Sequence, residues 1–239
     1  MSYDLIVKGG TVVTASDSFI ADIAVADGRV AAVGAIDGTA KKTVEARGQV
    51  VVPGGIDAHT HFDMPFMGAT TADDFTTGST AAVFGGTTSV IDFAIQKKTE
   101  TLRQALDLWH EKAEGRSAVD YAFHMIITDL PEKQVREMDA MIKEGVTSFK
   151  LFMAYPGIFM SDDATIFRAL SRTKENGGMV CMHAENGGVI DVLVQKALAS
   201  GQIEPKYHAL TRPMSAEAEA TRRAIALADM AGVPIYFVH

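Results

Sequence analysis

The sequence predicts an α/β fold: a parallel sheet covered by helices, preceded by a small all-β unit. Three observations carry that expectation. After about residue 53, six short and almost wholly apolar runs alternate with segments of helical spacing, the pattern of a sheet buried on both faces. The residues before that point show strand-like runs and turn residues but no helical segment. The change of texture falls at Pro53-Gly54-Gly55, which sets the expected boundary between residues 1–52 and residues 53–239.

In chain order, residues 4–8 and 11–14 read as strands separated by Gly9-Gly10. Residues 20–25 and 29–33 flank Ala26-Asp27-Gly28, and Asp-Gly between alternating runs is a hairpin signal. A further strand leads through Lys42-Thr43-Val44-Glu45 towards Gly48-Gln49. The six apolar runs are the one from Val50 into His59, then residues 87–93, 121–127, 146–152, 178–183 and 234–239. Between them, Thr99-Glu100-Thr101 opens a helix with Leu102, Leu106 and Trp109 on one side. Pro131 stands near the start of another that carries Val135, Met138, Met141 and Ile142. Ser161-Asp162-Asp163 precedes Ile166, Phe167 and Leu170, and Ser215-Ala216-Glu217-Ala218 opens a last helix that stops at Gly232;.

Composition narrows the classes. A chain of 239 residues holds one large domain or two small ones;. Hydrophobic residues make up 47% and the mean hydropathy is +0.11, as a substantial core requires. The formal charge of −8 leaves no basic footprint for nucleic acid or an acidic membrane. Cys181 is the one cysteine, so no intrachain disulfide forms and a reducing compartment is expected. The start lacks the basic and apolar regions of a signal peptide, and no apolar run reaches the ~18–20 residues of a membrane span. A soluble cytoplasmic protein is the expectation.

A doubly wound sheet and a (β/α) barrel both fit the alternation. The polar residues favour the barrel, whose active sites lie at the C-terminal ends of strands. His59 and His61 end the first run, with Asp57, His59 and His61 on one face by the period of two. Lys150 lies in the C-terminal part of the fourth run, His183 ends the fifth and His239 the sixth. Two imidazoles on one strand face can chelate a divalent metal. Lys150, between Phe149 and Leu151, would be a buried amine and would tend to lose its charge. It is a snorkelling or ion-paired lysine, or an amine that adds CO2 to become a carbamate able to bridge two cations. His110, on a helix, His124, mid-strand, and His208, in a loop, are read as ordinary residues outside this set.

Asp57-Ala58-His59-Thr60-His61, residues 148–155 (Ser-Phe-Lys-Leu-Phe-Met-Ala-Tyr) and His183-Ala184-Glu185-Asn186-Gly187 together resemble the amidohydrolase superfamily. More narrowly, they resemble its dihydropyrimidinase/hydantoinase branch, as do residues 207–213 (Tyr-His-Ala-Leu-Thr-Arg-Pro) and the helix carrying Glu217 and Glu219. The resemblance runs over essentially the whole chain. It implies a metal-dependent hydrolase (β/α)8 TIM barrel, here truncated after about six strands, with residues 1–52 as the N-terminal part of a β-sandwich. It implies that His59 and His61 bind the more buried metal, that Lys150 as N6-carboxylysine bridges both metals, and that His183 and His239 bind the more exposed one. Tyr155 would hydrogen-bond the substrate carbonyl. Met64, Phe66, Phe152 and Phe159 would contact the exocyclic group, core packing being the other reading of these side chains.

The activity so implied is hydrolysis of the cyclic amide bond of dihydropyrimidines or hydantoins to N-carbamoyl amino acids. Two divalent ions would hold the attacking hydroxide; zinc is expected from the imidazole and oxygen donors, with manganese or cobalt able to substitute, and CO2 is needed for the carbamate. An allantoinase- or dihydroorotase-type enzyme and a non-catalytic homologue or fragment are the alternatives, and a homotetramer is implied. One departure matters: the family's eighth-strand aspartate has no counterpart here. Asp57 and Asp92 do not replace it, so the chain is expected to be the N-terminal portion of a longer enzyme and inactive by itself.

Overall fold

The computed structural model describes residues 2–239, and the chain divides into two compact units, one ending at Gly55 and one starting at Ile56. The first unit is a five-stranded sheet of β1 (Ser2–Val13), β2 (Ser18–Ala26), β3 (Arg29–Gly34), β4 (Thr39–Glu45) and β5 (Val50–Val51). Its order is β3-β2-β1-β4, with β5 also paired to β1. Asp27 and Gly28 both have positive φ, 51° and 70°, the backbone that a two-residue hairpin of native twist needs. One expectation is corrected. Gly9-Gly10 is no turn: β1 runs through it, and the β1–β2 register shifts between Val7 and Gly10. Gly9, at φ 68°, gives its N–H to the Asp22 carboxylate at 2.7 Å, as a bulged residue freed from the ladder must find another acceptor.

The second unit carries β6 (Gly55–Thr60) from that strand's second residue on, followed by a small hairpin of β7 (Pro65–Phe66) and β8 (Ala69–Thr70). Then α1 (Phe75–Phe84), β9 (Thr87–Ile95), α2 (Leu102–Ala113), β10 (Asp120–Ile126), α3 (Glu137–Lys143) and β11 (Ser148–Phe152) follow in turn. They are succeeded by α4 (Asp163–Asn176), β12 (Met179–His183), α5 (Gly187–Ala199), α6 (Lys206–Leu210), α7 (Met214–Ala231) and β13 (Ile235–Phe237). Two of the four expected helix starts are capped as the sequence suggests, whereas α3 begins only at Glu137, past Pro131 and Val135, and α7 begins at Met214 with Ser215 already inside it, neither with a side-chain cap. Thr101 accepts from the Gln104 N–H at 3.1 Å, and the Gln104 side chain accepts from Thr101 N–H at 2.9 Å. Asp162 accepts from the Thr165 N–H at 2.7 Å; such caps contribute about 1 kcal/mol each. Leu102, Leu106 and Trp109 are buried on one side of α2, at spacings of three and four residues. His208, expected in a loop, sits on the short α6.

The sheet of this unit has the order β13-β12-β11-β10-β9-β6, and its registered neighbours are parallel. Strand order therefore follows chain order without reversal. A doubly wound sheet reverses at its switch point, so the barrel reading stands and the alternative falls. The sheet also curls. His59, on one edge strand, and His239, just past the other, have ring centroids 5.3 Å apart. Six flat strands at about 4.8 Å spacing would hold them roughly 24 Å apart. The side chains of the concave face thus converge, and that convergence builds the site.

Candidate active site

The concave face gathers residues from the C-terminal ends of the strands. The rings of His59 and His61 lie 5.2 Å apart, and those of His183 and His239 4.9 Å apart. Lys150 links the two pairs. It is 2% exposed, registers with Cys181 on β12, and puts Nζ 3.3 Å from His59 Nε2. Phe93 forms the floor: it packs on His59 at 4.6 Å and on His61 at 4.8 Å, and Lys150 Nζ stands 4.4 Å over its ring. The sequence therefore named five groups that the fold does bring together. Among the described residues, no three His, Cys, Asp or Glu side chains form a ready cage for one ion. The arrangement is two histidine pairs with a lysine between them.

Burial sets the charge state of these groups. It pushes the Lys150 ammonium down to about 8, with the neighbouring Cys181 thiol opposing. The amine is consequently within reach of its neutral, nucleophilic form near physiological pH. Burial first, and then the charge of Lys150, bring His59 down to about 4 and His61 to about 3. His183 and His239 are lowered too, again chiefly by burial. All four imidazoles are thus held neutral, the state in which a ring nitrogen offers a lone pair. His61 Nδ1 is buried with no hydrogen-bond partner. His183 Nε2 faces the Glu185 carboxylate at 2.7 Å, which fixes the proton on Nε2 and leaves the Nδ1 lone pair free. These are donor atoms that fit a cation.

The lowered imidazoles carry a stability consequence with a definite sign. Above pH 6.5 both states hold His59 and His61 neutral and no pH dependence arises. As pH falls from 6.5 towards 4 and then 3, the unfolded chain takes up protons that the folded one refuses. Folding free energy is lost there at up to about 1.4 kcal/mol per pH unit for the more buried His61, and at less for the better solvated His59, whose charge water screens. The metal-free protein is expected to lose urea resistance steeply in this window, and His61→Gln to flatten the slope. Parallel curves for the two proteins would contradict it.

Tyr155 follows β11 and has φ 63°, a left-handed backbone that is strained for a tyrosine. Its carbonyl accepts from the N–H groups of Ile158, Phe159 and Met160, each at 3.1 Å, and this turn fixes the conformation. The ring packs 5.3 Å from His183. Burial, then the nearby Glu185, raise the phenol above its ordinary value, so it keeps its proton and can donate. A cavity of about 260 Å³ lined by Tyr155, His183, Glu185, Arg212 and His239 lies beside it.

The four other predicted contact residues separate into two kinds. Phe152 and Phe159 are each 5% exposed and belong to the core cluster, stacked on one another at 5.0 Å. Phe66 lies on the β7–β8 hairpin, stacks on Phe159 at 5.9 Å and lines a second cavity of about 350 Å³ beside Tyr155. Met64 packs against the core from the same loop, its N–H bonded to Thr71 Oγ1 at 3.0 Å.

Sequence reasoning passed over several residues. His124 points into the same concave face, 4.6 Å from Phe93. Its Nε2–H donates to the Ala58 carbonyl at 2.9 Å, and its Nδ1 meets the Ser148 hydroxyl. Inward alternation with Ile126 and Ala122 along β10 was the available signal. Glu185 and Arg212, 3.8 Å apart, stand in the motifs but no role was read for them. Asp57, placed by alternation on the site's face, is exposed; its carboxylate accepts from the His59 N–H at 3.1 Å. Asp92 is not at a strand end, since β9 runs on to Ile95.

Residues 50–228 match the amidohydrolase family model, a family that is metal-dependent. The chain is 53% identical over 245 residues to a D-hydantoinase of Streptomyces coelicolor, covering 100% of this chain and 52% of that protein. It is 41% identical to a dihydropyrimidinase of Rattus norvegicus, covering 98% and 47%. A solved D-hydantoinase from a Bacillus sp. AR9 superposes with a TM-score of 0.94 at 50% identity, covering 99% of this chain and 51% of that one. The chain spans about half the length of the curated relatives it matches.

Proposed function

This chain belongs to the amidohydrolase family, and on that premise we propose that the full-length protein is a dihydropyrimidinase/hydantoinase-type enzyme. It adds water across the ring amide of a hydantoin or dihydropyrimidine. The carbonyl carbon–nitrogen bond breaks and the ring opens, the carbon becoming a carboxylate and the nitrogen the terminal NH2 of the carbamoyl group, both within one N-carbamoyl amino acid. The observation that carries this reading is the meeting of four imidazoles and Lys150 on one concave face, with Nζ 3.3 Å from His59 Nε2.

His59 and His61 would hold the more buried of two divalent cations, His183 and His239 the more exposed one, and Lys150 both. For that, the neutral Lys150 amine adds CO2 and releases a proton, giving a carbamate with two oxygens. Zinc suits this imidazole and oxygen set, with manganese or cobalt as substitutes. When bound, the cations would lower the pKa of water towards neutrality and polarise the amide carbonyl. Tyr155 donates its phenolic proton in a hydrogen bond to the carbonyl oxygen as negative charge develops there. Glu185 keeps His183 in the tautomer that presents Nδ1. Phe66 and Met64 bound the space for the exocyclic group, while Phe152 and Phe159 support Tyr155 from the core and keep water out. The proton for the departing ring nitrogen would come from the strand-eight aspartate that the family resemblance implies.

Among the described residues no helix is long and apolar enough to cross a membrane; we propose a cytoplasmic enzyme assembled as a homotetramer, with a small cyclic amide as its partner. The test takes the full-length protein, reconstituted with Zn2+ and bicarbonate. Metal per chain is measured together with hydrolysis of hydantoin, dihydrouracil, allantoin and dihydroorotate. Two metals per chain and turnover of the first two substrates are expected. Turnover of allantoin or dihydroorotate alone would move the protein to those branches, and fewer than one metal per chain would overturn the dinuclear reading.

A further inference from the structure

Behind the first histidine pair lies a buried carboxylate that the mechanism above does not use. Asp92, on β9, is 0% exposed and Trp109, on α2, 1% exposed. Each Asp92 oxygen receives two donors. Oδ2 accepts from the Phe62 N–H at 2.7 Å and from Thr60 Oγ1 at 3.1 Å. Oδ1 accepts from the Phe93 N–H at 2.7 Å and from Trp109 Nε1 at 3.2 Å. Thr60 and Phe62 are the residues on either side of His61. Phe93 is the ring on which His61 stacks, 4.8 Å between centroids and 30° between planes. One carboxylate thus grips the backbone that carries an imidazole and also the backbone of the ring that supports it.

A second contact extends the grip. Lys112, one turn along α2 from Trp109 and 4.2 Å over its ring, donates to the Asp63 carbonyl at 2.7 Å. Asp63 has φ 51°, a turn conformation that needs holding in place. A buried ionised carboxylate is costly, and well-packed apolar side chains of the same volume are commonly as good or better for stability. Four converging donors also exclude the amide isostere, because an acceptor-only group is required at both ends.

We infer that Asp92 is a positioning residue, braced by Trp109, that sets where His61 and its partner His59 present their nitrogens. It touches neither substrate nor metal and acts through the loop it holds. The inference rests on the reading of His59 and His61 as metal ligands for its consequence in binding, but the brace itself is testable without metal.

The experiment compares the full-length wild-type protein with Asp92→Asn, Thr60→Val and Trp109→Phe. Zinc binding is followed as a two-step competition against a chelator. Asp92→Asn is expected to lose about 10–100-fold in affinity for one ion while the other step is kept, a split that general destabilisation would not produce. Thr60→Val and Trp109→Phe, each removing a single donor, should show the same split at several-fold. In the metal-free proteins, amide hydrogen exchange at His61 and Phe62 should quicken at least tenfold in Asp92→Asn, with β11 and β12 unchanged. A folded Asp92→Asn protein with wild-type exchange at these amides and wild-type affinity at both steps would overturn the inference. If Asp92→Asn does not fold, wild-type exchange and affinity in both other variants would do the same. If the wild-type protein binds no zinc, the metal reading fails, and the exchange measurement still decides the brace.

Discussion

Lys150→Ala in the full-length protein is expected to drop turnover by about a thousandfold or more and to lower bound metal below two per chain. The polarisation a metal site supplies is worth several kcal/mol, and about 4 kcal/mol corresponds to three powers of ten in rate. Lys150 is the residue whose loss removes the link between the two histidine pairs. Its surroundings offer burial and a thiol, and no carboxylate acts on it. A lysine left so has no ordinary structural use, and its removal should show this. In the metal-free protein, Lys150→Met is expected to gain up to about 3 kcal/mol of folding stability at pH 7, because a shift from 10.5 to about 8 penalises the charged folded form by that much;. The wild-type protein recovers the difference as pH rises from about 8 to 10.5, where the unfolded chain still binds the proton and the folded one has released it. Metal analysis, turnover and denaturation between pH 7 and 10.5 check these together. A Lys150→Ala protein with two metals and full turnover would end the carbamate assignment.

Tyr155→Phe is expected to cut kcat by roughly 10²–10³-fold with little change in KM, the effect of losing one hydrogen-bond donor to a developing oxyanion. The substitution isolates the hydroxyl. Phenylalanine keeps the ring contacts with Phe66, Phe152, Phe159 and His183, and the turn closed on the residue 155 carbonyl does not depend on the side chain. Steady-state kinetics on hydantoin checks it. A loss below about threefold would assign the oxyanion to other groups and reduce Tyr155 to packing.

How far these residues could be read from the chain depended on what each signal reports. The strand-end histidines and Lys150 were legible because a polar group closing an apolar run is a conflict that local structure cannot resolve. Trp109 and the caps of α2 and α4 were legible because spacing and capping are local. Gly9-Gly10 misled, since a glycine pair marks a bulge as readily as a turn and only the pairing with β2 distinguishes them. The position of His124 on the concave face was not legible, because a mid-strand histidine gives no local conflict and its partners, Ala58 and Ser148, lie on other strands. Asp57 was expected on the face of His59 by alternation, but its side chain is exposed and its carboxylate turns back to accept from the His59 N–H.

The sequence by itself determined the fold class, the six strands of the second sheet, four of the helices, the strand ends where four histidines and Lys150 fall, and the resemblance that links them, because periodicity and motif spacing are written within a few residues of one another; α1, α5, α6 and the β7–β8 hairpin were not read from it. Only the tertiary structure decided that the sheet winds in one direction and curls, so that His59 and His239, 180 residues apart, bring their rings to 5.3 Å. It alone showed that the buried Lys150 stands between two histidine pairs, and that Asp92 holds the loop behind one of them. Those facts depend on strand order, twist and burial, which arise from contacts between distant segments and leave no mark in any single one.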